Sequence, residues 1–198
     1  MAEVPLLVIL TGPSGAGKDT LVARLRERTG ANFGFAVTAT SRPPRHGEQD
    51  GRDYHFVSRR EFERMVEDGE LLEHAVVYGQ LKGVPRKSVR TVLDAGQDVI
   101  LRTDIQGAHT LKELIPDAVT IFVTPPTREE MARRLRERDS DTDEQIAKRL
   151  ETATEEMRSA ENFDYVITND DLDRAAAEIE AIVAEERARA DRGPLELA

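Results

Sequence analysis

Leu6-Leu7-Val8-Ile9-Leu10 is an unbroken apolar run that passes through Thr11 into Gly12-Pro13-Ser14-Gly15-Ala16-Gly17-Lys18. Without polar alternation it reads as a strand buried on both faces. From Asp19 to Arg28, Leu21, Val22 and Leu25 recur at helical spacing, so a helix follows the glycine loop. A buried strand leading through glycines into a helix commits the chain to an α/β arrangement.

The loop composition points to phosphate chemistry. Phosphate oxygens need close approach to backbone N–H groups, and Gly12, Gly15 and Gly17 remove the side chains that would block it. The following helix adds its free N-terminal donors and positive dipole end. Lys18 supplies a mobile charge for the outer phosphates. It is one of only five lysines among 28 basic residues, so it is no by-product of a lysine-rich chain. The whole segment Gly12, Pro13, Ser14, Gly15, Ala16, Gly17, Lys18, Asp19 and Thr20 is therefore the candidate ATP-binding loop. The strict pattern G-x-x-x-x-G-K-[ST] places a hydroxyl after the lysine to hold Mg²⁺. This chain has Asp19 there, with Thr20 next. Two readings of Asp19 stay open: a hard oxygen ligand for Mg²⁺, shared with Thr20, or a cap on the helix.

At 198 residues the chain is long enough for one well-buried core with small inserted subdomains. It has no apolar run of membrane-spanning length and no basic segment ahead of the first strand, so neither a membrane helix nor a signal peptide is expected. The absence of cysteine excludes disulfides and thiolate metal sites and suits a cytoplasmic protein. A net charge of −10 argues against a general nucleic-acid binder. The arginines nevertheless cluster, at Arg42, Arg45, Arg52, Arg59 and Arg60 and again at Arg133, Arg134, Arg136 and Arg138. Local cationic clusters on an acidic chain fit a small polyanionic ligand better than a polymer.

Along the rest of the chain, strands are expected at Phe33 to Ala39, Tyr54 to Val57, Leu71 to Tyr78, Asp98 to Leu101, Val119 to Val123 and Tyr165 to Thr168. Turns are expected at Gly30-Ala31-Asn32, at Gly79 to Pro85 and at Asp139 to Asp143. Helices are expected at Arg59 to Asp68 behind a Ser58 cap, Ser88 to Ala95, Ile105 to Leu114, Arg128 to Arg138, Glu144 to Ala160 and Leu172 to Arg189, with a frayed tail from Arg192. Buried strands alternating with helices predict a parallel sheet with right-handed crossovers. The polar, alternating stretch between about Val37 and Arg86 predicts a small half-exposed sheet inserted into that core.

These segments carry a resemblance. Gly12 to Lys18 is followed by Thr40-Ser41-Arg42-Pro43-Pro44-Arg45, Gly47-Glu48, Asp50-Gly51 and Asp53-Tyr54-His55-Phe56-Val57. Then come Glu70-Leu71-Leu72-Glu73-His74-Ala75, Asp104-Ile105-Gln106-Gly107-Ala108 and Asn169-Asp170-Asp171-Leu172. In this order, from about Leu6 to Val183, they resemble guanylate kinase. The resemblance implies a P-loop NTPase-type three-layer α/β/α core with a parallel sheet (residues 1–36, 87–127 and 150–198), a mixed α+β acceptor-binding insert (37–86) and a helical lid (128–149). It implies phosphoryl transfer from ATP to GMP or dGMP with Mg²⁺, by a monomer or homodimer whose partners are small nucleotides. Arg42, Arg45 and Tyr54 match groups that grip the acceptor phosphate. Glu73, Asp104 and Thr38 match groups facing the base, and Arg138 and Arg149 match lid arginines at the transferring phosphoryl group. Lys18, Arg42, Arg138 and Arg149 are thus the candidate catalytic residues.

Four positions depart from that pattern. Asp19 replaces the metal-binding hydroxyl, and Lys82 a usual tyrosine. Val84 replaces a hydroxyl that contacts guanine O6, and Arg102 a carboxylate. Lys18-Asp19 and Gly83-Val84 instead resemble ribose 1,5-bisphosphate phosphokinase. The alternatives of a sugar-phosphate acceptor, of relaxed base selection and of a non-catalytic binding module therefore stand beside the guanylate reading.

Overall fold

The apolar run forms the strand it predicts, β1 (Leu7–Thr11), with all five residues buried. The computed structural model describes residues 4–28, 32–137 and 143–189, with Leu195 and Leu197. The chain divides into two compact units, Met1–Ile9 with Asn32–Val119 and Ala190–Ala198, and Leu10–Ala31 with Thr120–Arg189, so β1 passes from one into the other.

The first unit holds β2 (Phe33–Phe35), β3 (Ala39–Thr40), β4 (His55–Phe56), α2 (Arg59–Glu67; α1 belongs to the second unit), β5 (Leu71–Val77), β6 (Gln80–Pro85), α3 (Arg86–Asp94), β7 (Asp98–Arg102) and α4 (Ile105–Leu114). Its parallel strands run in the order β2-β7-β1. The Val99 N–H donates to the Leu6 carbonyl at 2.7 Å, and the Leu6 N–H to the Asp98 carboxylate at 2.9 Å, which satisfies the buried entry to both strands. A second sheet has the order β4-β3-β6-β5, with β5 and β6 antiparallel. One face of it closes on Phe62 of α2, packed with Ala39, Leu71 and Leu81. Ser58 caps α2 as expected, its Oγ accepting from the Glu61 N–H at 3.1 Å.

The second unit holds α1 (Lys18–Glu27), β8 (Val119–Thr124), α5 (Arg128–Arg136), α6 (Asp143–Glu156), a short 3₁₀ segment (Met157–Asn162), β9 (Tyr165–Thr168) and α7 (Leu172–Arg187). β8 and β9 are parallel, Ile121 lying opposite Tyr165. Arg28 grips Glu180 with two 2.9 Å hydrogen bonds and so ties the end of α1 to α7. Met131, Leu135, Ile146 and Ala153 form the core between α5 and α6.

Parallel strands joined by helices are the α/β class that the sequence predicts. Several boundaries differ. Gly79 to Pro85 is not a turn: Gln80–Pro85 is β6, and the turn is confined to Tyr78 and Gly79, both left-handed at φ 51° and 76°. That two-residue turn suits a tight hairpin. Gly83, which reads as a loop signal, is needed for packing, since a Cβ there would press on the Glu73 carbonyl, Leu71 and Phe62. The strand expected over Phe33 to Ala39 is split into β2 and β3, and β7 continues through Arg102. The long helix expected to reach Ala160 tightens to 3₁₀ geometry at Met157. The turns expected at Gly30-Ala31 and over residues 139–142, and most of the tail from Arg192, lie outside the described residues.

Candidate active site

In the second unit the glycine loop is shaped by three left-handed glycines, Gly12 (φ 136°), Gly15 (φ 89°) and Gly17 (φ 86°). At Gly12 a side chain would also collide with the Val123 carbonyl, so the loop path excludes any other residue there. Gly17 is the N-cap of α1 and offers no capping side chain, which leaves the first N–H groups of the helix directed into the loop. Asp19 is therefore not the cap. It sits in the first helical turn, half-buried, with Thr20 exposed beside it. Lys18 Nζ donates to the carbonyls of Gly12 (2.6 Å) and Pro13 (3.0 Å), holding the ammonium over the loop.

Two residues that the sequence reading gave no role hold the same loop from behind. Asn169 Nδ2 donates to the Ala16 carbonyl at 2.8 Å. The Arg134 guanidinium reaches the Ala16 and Asn169 carbonyls at 3.3 and 2.9 Å, and its Nε pairs with Glu130 at 2.7 Å. Arg134 is 22% exposed, whereas its neighbour Arg133 is 57% exposed and pairs with Glu130 and Glu137. The two arginines share Glu130, but only Arg134 reaches on to the glycine loop, a difference that spacing against an unknown neighbour does not reveal. Of the two expected lid arginines, Arg149 lies half-buried on α6 and Arg138 lies outside the described residues.

In the first unit, Arg42 is held by Glu48 through two 2.6 Å hydrogen bonds in a bidentate fork. Glu48 also accepts from the Arg45 N–H at 2.7 Å. Burial pushes the Glu48 carboxyl up, but the Arg42 guanidinium and the Arg45 N–H outweigh it and hold it below the usual range. The Arg42 guanidinium carbon lies 4.9 Å from the centre of the Tyr54 ring, within cation–π range. The Arg102 guanidinium lies 4.3 Å from the same ring and donates to the Asp53 carbonyl.

The residue after Arg102 connects this cluster to the second group of candidates. Thr103 Oγ1 donates to Glu73 at 3.1 Å. Asp104 caps α4, one oxygen accepting from the Gly107 N–H at 3.1 Å and the other buried without a partner among the described residues. Gly107 is fitted under this pair, because a side chain there would strike Thr103 and Glu73. Burial pushes the Glu73 carboxyl up to about 7; the Asp104 charge adds to the rise, and Thr103 and Lys82 oppose it. Thr38 is buried beside β3, and its carbonyl accepts from the His55 N–H at 2.9 Å.

Arg42, Arg45, Tyr54, Glu73 and Asp104 thus gather in the first unit, linked through Glu48, Arg102 and Thr103. The chain matches the family model "Guanylate kinase" over residues 5–186. It is 47% identical over 177 residues to the guanylate kinase of Synechococcus sp. (strain JA-3-3Ab), covering 89% of this chain and 81% of the relative. It is 44% identical over 192 residues to that of Lactococcus lactis subsp. lactis, covering 97% and 93%. The chain belongs to the guanylate kinase family. The crystal structure of guanylate kinase from Anaplasma phagocytophilum superposes with a TM-score of 0.78 at 35% identity, covering 95% of this chain and 89% of that one. In this guanylate kinase family member, two of the four unusual positions fall inside the first-unit cluster: Arg102 on Tyr54, and Val84 opposite Glu73 in the β5–β6 ladder. Lys82, two pairs further along the ladder and opposite Ala75, acts on Glu73 electrostatically, and Asp19 belongs to the glycine loop.

Proposed function

We propose that the protein transfers the γ-phosphoryl group of ATP to GMP or dGMP, giving ADP and GDP or dGDP. The observation that carries this reading is the continuous cluster Arg42–Tyr54–Arg102–Thr103–Glu73–Asp104. Its cationic end suits a phosphate dianion and its acidic end suits the N1–H and N2–H donors of guanine. Arg42, Arg45 and Tyr54 hold the acceptor phosphate, and Glu73, Asp104 and Thr38 face its base.

The glycine loop from Gly12 to Thr20 cradles the donor phosphates, with Lys18 released from the Gly12 and Pro13 carbonyls onto the outer ones. Arg138 and Arg149 neutralise the charge that builds on the transferring group. No protein nucleophile is needed, because positioning and cationic clamps carry in-line transfer. The residues present fit Mg²⁺ arriving with the nucleotide. Among the described residues no cluster of three or more acidic or histidine side chains could cage a metal, which suits an ion that keeps phosphate and water ligands. The Asp19 carboxylate and the Thr20 hydroxyl would hold it, and it supplies neutralisation of the phosphate oxygens.

The same reading divides the chain into a nucleotide core (residues 1–36, 87–127 and 150–198), an acceptor insert (37–86) and a lid (128–149). It makes the protein a cytoplasmic enzyme acting on small nucleotides, as monomer or homodimer. Among the described residues no helix is long and apolar enough to cross a membrane. Val84 favours a second, narrower reading, relaxed base selection, since a valine offers guanine O6 no donor.

Coupled assays with saturating ATP and varied GMP, dGMP, AMP, UMP or ribose 1,5-bisphosphate test the proposal. GMP and dGMP should give the highest kcat/KM. A preference for the sugar bisphosphate would end the guanine reading, and no turnover with any acceptor would favour a binding module.

A further inference from the structure

Arg102, Thr103 and Asp104 are consecutive, and each fixes a different part of the acceptor cluster. Thr103 holds the Glu73 carboxyl and Asp104 caps α4. Arg102, the last residue of β7, reaches the polar loop 49 residues earlier, where its guanidinium donates to the Asp53 carbonyl and covers the Tyr54 ring. Arg102 and Tyr54 are each only 8% exposed.

That loop is held at its ends by the pairing of β3 with β4 and inside by the Glu48 fork on Arg42, but its outer part is exposed. Pro43, Pro44, His46, Gly47 and the stretch Gln49 to Arg52 are exposed, and at Gly47 and Gly51 nothing lies within 4 Å of where a side chain would stand. It is shaped by local polar contacts, such as Gln49 N–H to Asp53 at 2.9 Å and Phe56 N–H to Asp50 at 2.9 Å. Such contacts set the loop's own curvature but do not set its place relative to β7. Arg102 ties the loop to β7, extending from a strand whose five residues are all buried.

We propose that Arg102 is a positioning residue: anchored on β7, it sets Tyr54, and through that ring Arg42, at a fixed distance from Glu73 and Asp104. This inference rests on the reading of Arg42 and Tyr54 as the acceptor-phosphate clamp. A planar guanidinium can cover a ring and donate in its own plane at once, whereas a lysine ammonium can do either but not both in the same geometry. Arginine at this position therefore spans the acceptor site in a way that neither lysine nor a carboxylate reproduces.

The test is steady-state kinetics on R102M, R102K, Y54F, Y54A, R42A and the double variant R102M/Y54A, each with its melting temperature. R102M should raise the GMP KM about tenfold and R102K about threefold, with kcat and the ATP KM within about twofold of the parent. In the Y54A background, which removes the ring, R102M should change the GMP KM by less than about twofold, because a residue acting through the Tyr54 ring has nothing left to position. Additive effects in the double variant would overturn the proposal, as would equal rises in both KM values. R102K, which keeps the buried charge, carries the test if R102M lowers the melting temperature. If R42A and Y54F raise the GMP KM and both Arg102 variants leave it unchanged, this inference alone fails. If none of the four raises it, the clamp reading falls as well.

Discussion

Thr103 Oγ1 and Glu73 Oε1 lie 3.1 Å apart, so that a neutral hydroxyl supports a carboxyl that is only 4% exposed. Burial, with the Asp104 charge behind it, outweighs Thr103 and Lys82 and leaves Glu73 titrating near 7 in the free protein. A raised carboxyl favours the folded state only while protonated. Its contribution is complete below about pH 4.5, declines through the interval up to about 7 and is flat above it. Urea midpoints measured against pH should therefore show the parent losing ground to E73Q between those limits, on the order of 3 kcal/mol in total. Binding should run the other way. Guanine N1–H and N2–H require the ionised carboxylate, so the GMP KM should fall as pH rises from about 6 to about 8, and E73Q should flatten that profile.

Arg134 and Asn169 meet on the Ala16 carbonyl, and together they brace the outer wall of the glycine loop. Removing either takes one of two donors from that carbonyl, a loss of about 0.5–1.5 kcal/mol for an ordinary hydrogen bond. R134A and N169A should each raise the ATP KM about tenfold and lower the melting temperature, with the GMP KM unchanged. R133A, from the exposed side of the same helix, should behave as the parent within about twofold. Calorimetry with an ATP titration would separate the three variants, and an R134A protein with parental ATP affinity would remove Arg134 from the loop's support.

Glu48 holds Arg42 in a fork before any acceptor is present, and the charge on Glu48 is protected by that same fork. A depressed carboxyl contributes above its unfolded value and loses its contribution as pH falls through its lower, folded value. E48Q keeps the shape but halves the fork and removes the charge, so Arg42 is left less constrained. The GMP KM should rise by about three- to tenfold with kcat and the ATP KM preserved. E48Q should also be less sensitive than the parent to acid below about pH 4.5, which acid titration of the two melting temperatures would register.

What could be read from the chain divides along a physical line. The glycine loop, the buried strands and the cap at Ser58 are local, each written in a few adjacent residues, and the folded protein forms them. The expectation fails where a residue answers to a neighbour distant in sequence. Gly83 reads as a turn until Phe62 and the Glu73 carbonyl are seen to press on it. Arg134 reads as one of a run of arginines until Ala16 and Asn169 accept its hydrogen bonds. Arg102 reads as lying just past a strand that ends at Leu101, and the Tyr54 ring and Asp53 carbonyl that give its charge a setting lie far away in sequence. In each case the spacing of side chains along one element was legible, and the partner across the fold was not.

Val84 faces Glu73 across the β5–β6 ladder and is 1% exposed, so its methyl groups stand beside the edge proposed to read the base. The family resemblance puts a hydroxyl there, and V84T restores one with almost no change in volume. Thr38, also buried, is the other hydroxyl in reach of the proposed role. If Thr38 already serves guanine O6, V84T should alter nothing but stability, at a cost of about 1–3 kcal/mol for an added buried hydroxyl. If the parent leaves O6 unmet, the unpaired acceptor weakens guanine by about 1–3 kcal/mol. V84T should then raise kcat/KM for GMP by about tenfold and leave AMP unchanged. We expect the second outcome, because valine directly opposite Glu73 removes a donor at the rung where the base edge would lie. Paired assays of GMP and AMP with the parent, V84T and T38V would decide it. A fall in GMP selectivity for T38V together with a silent V84T would assign the contact to Thr38.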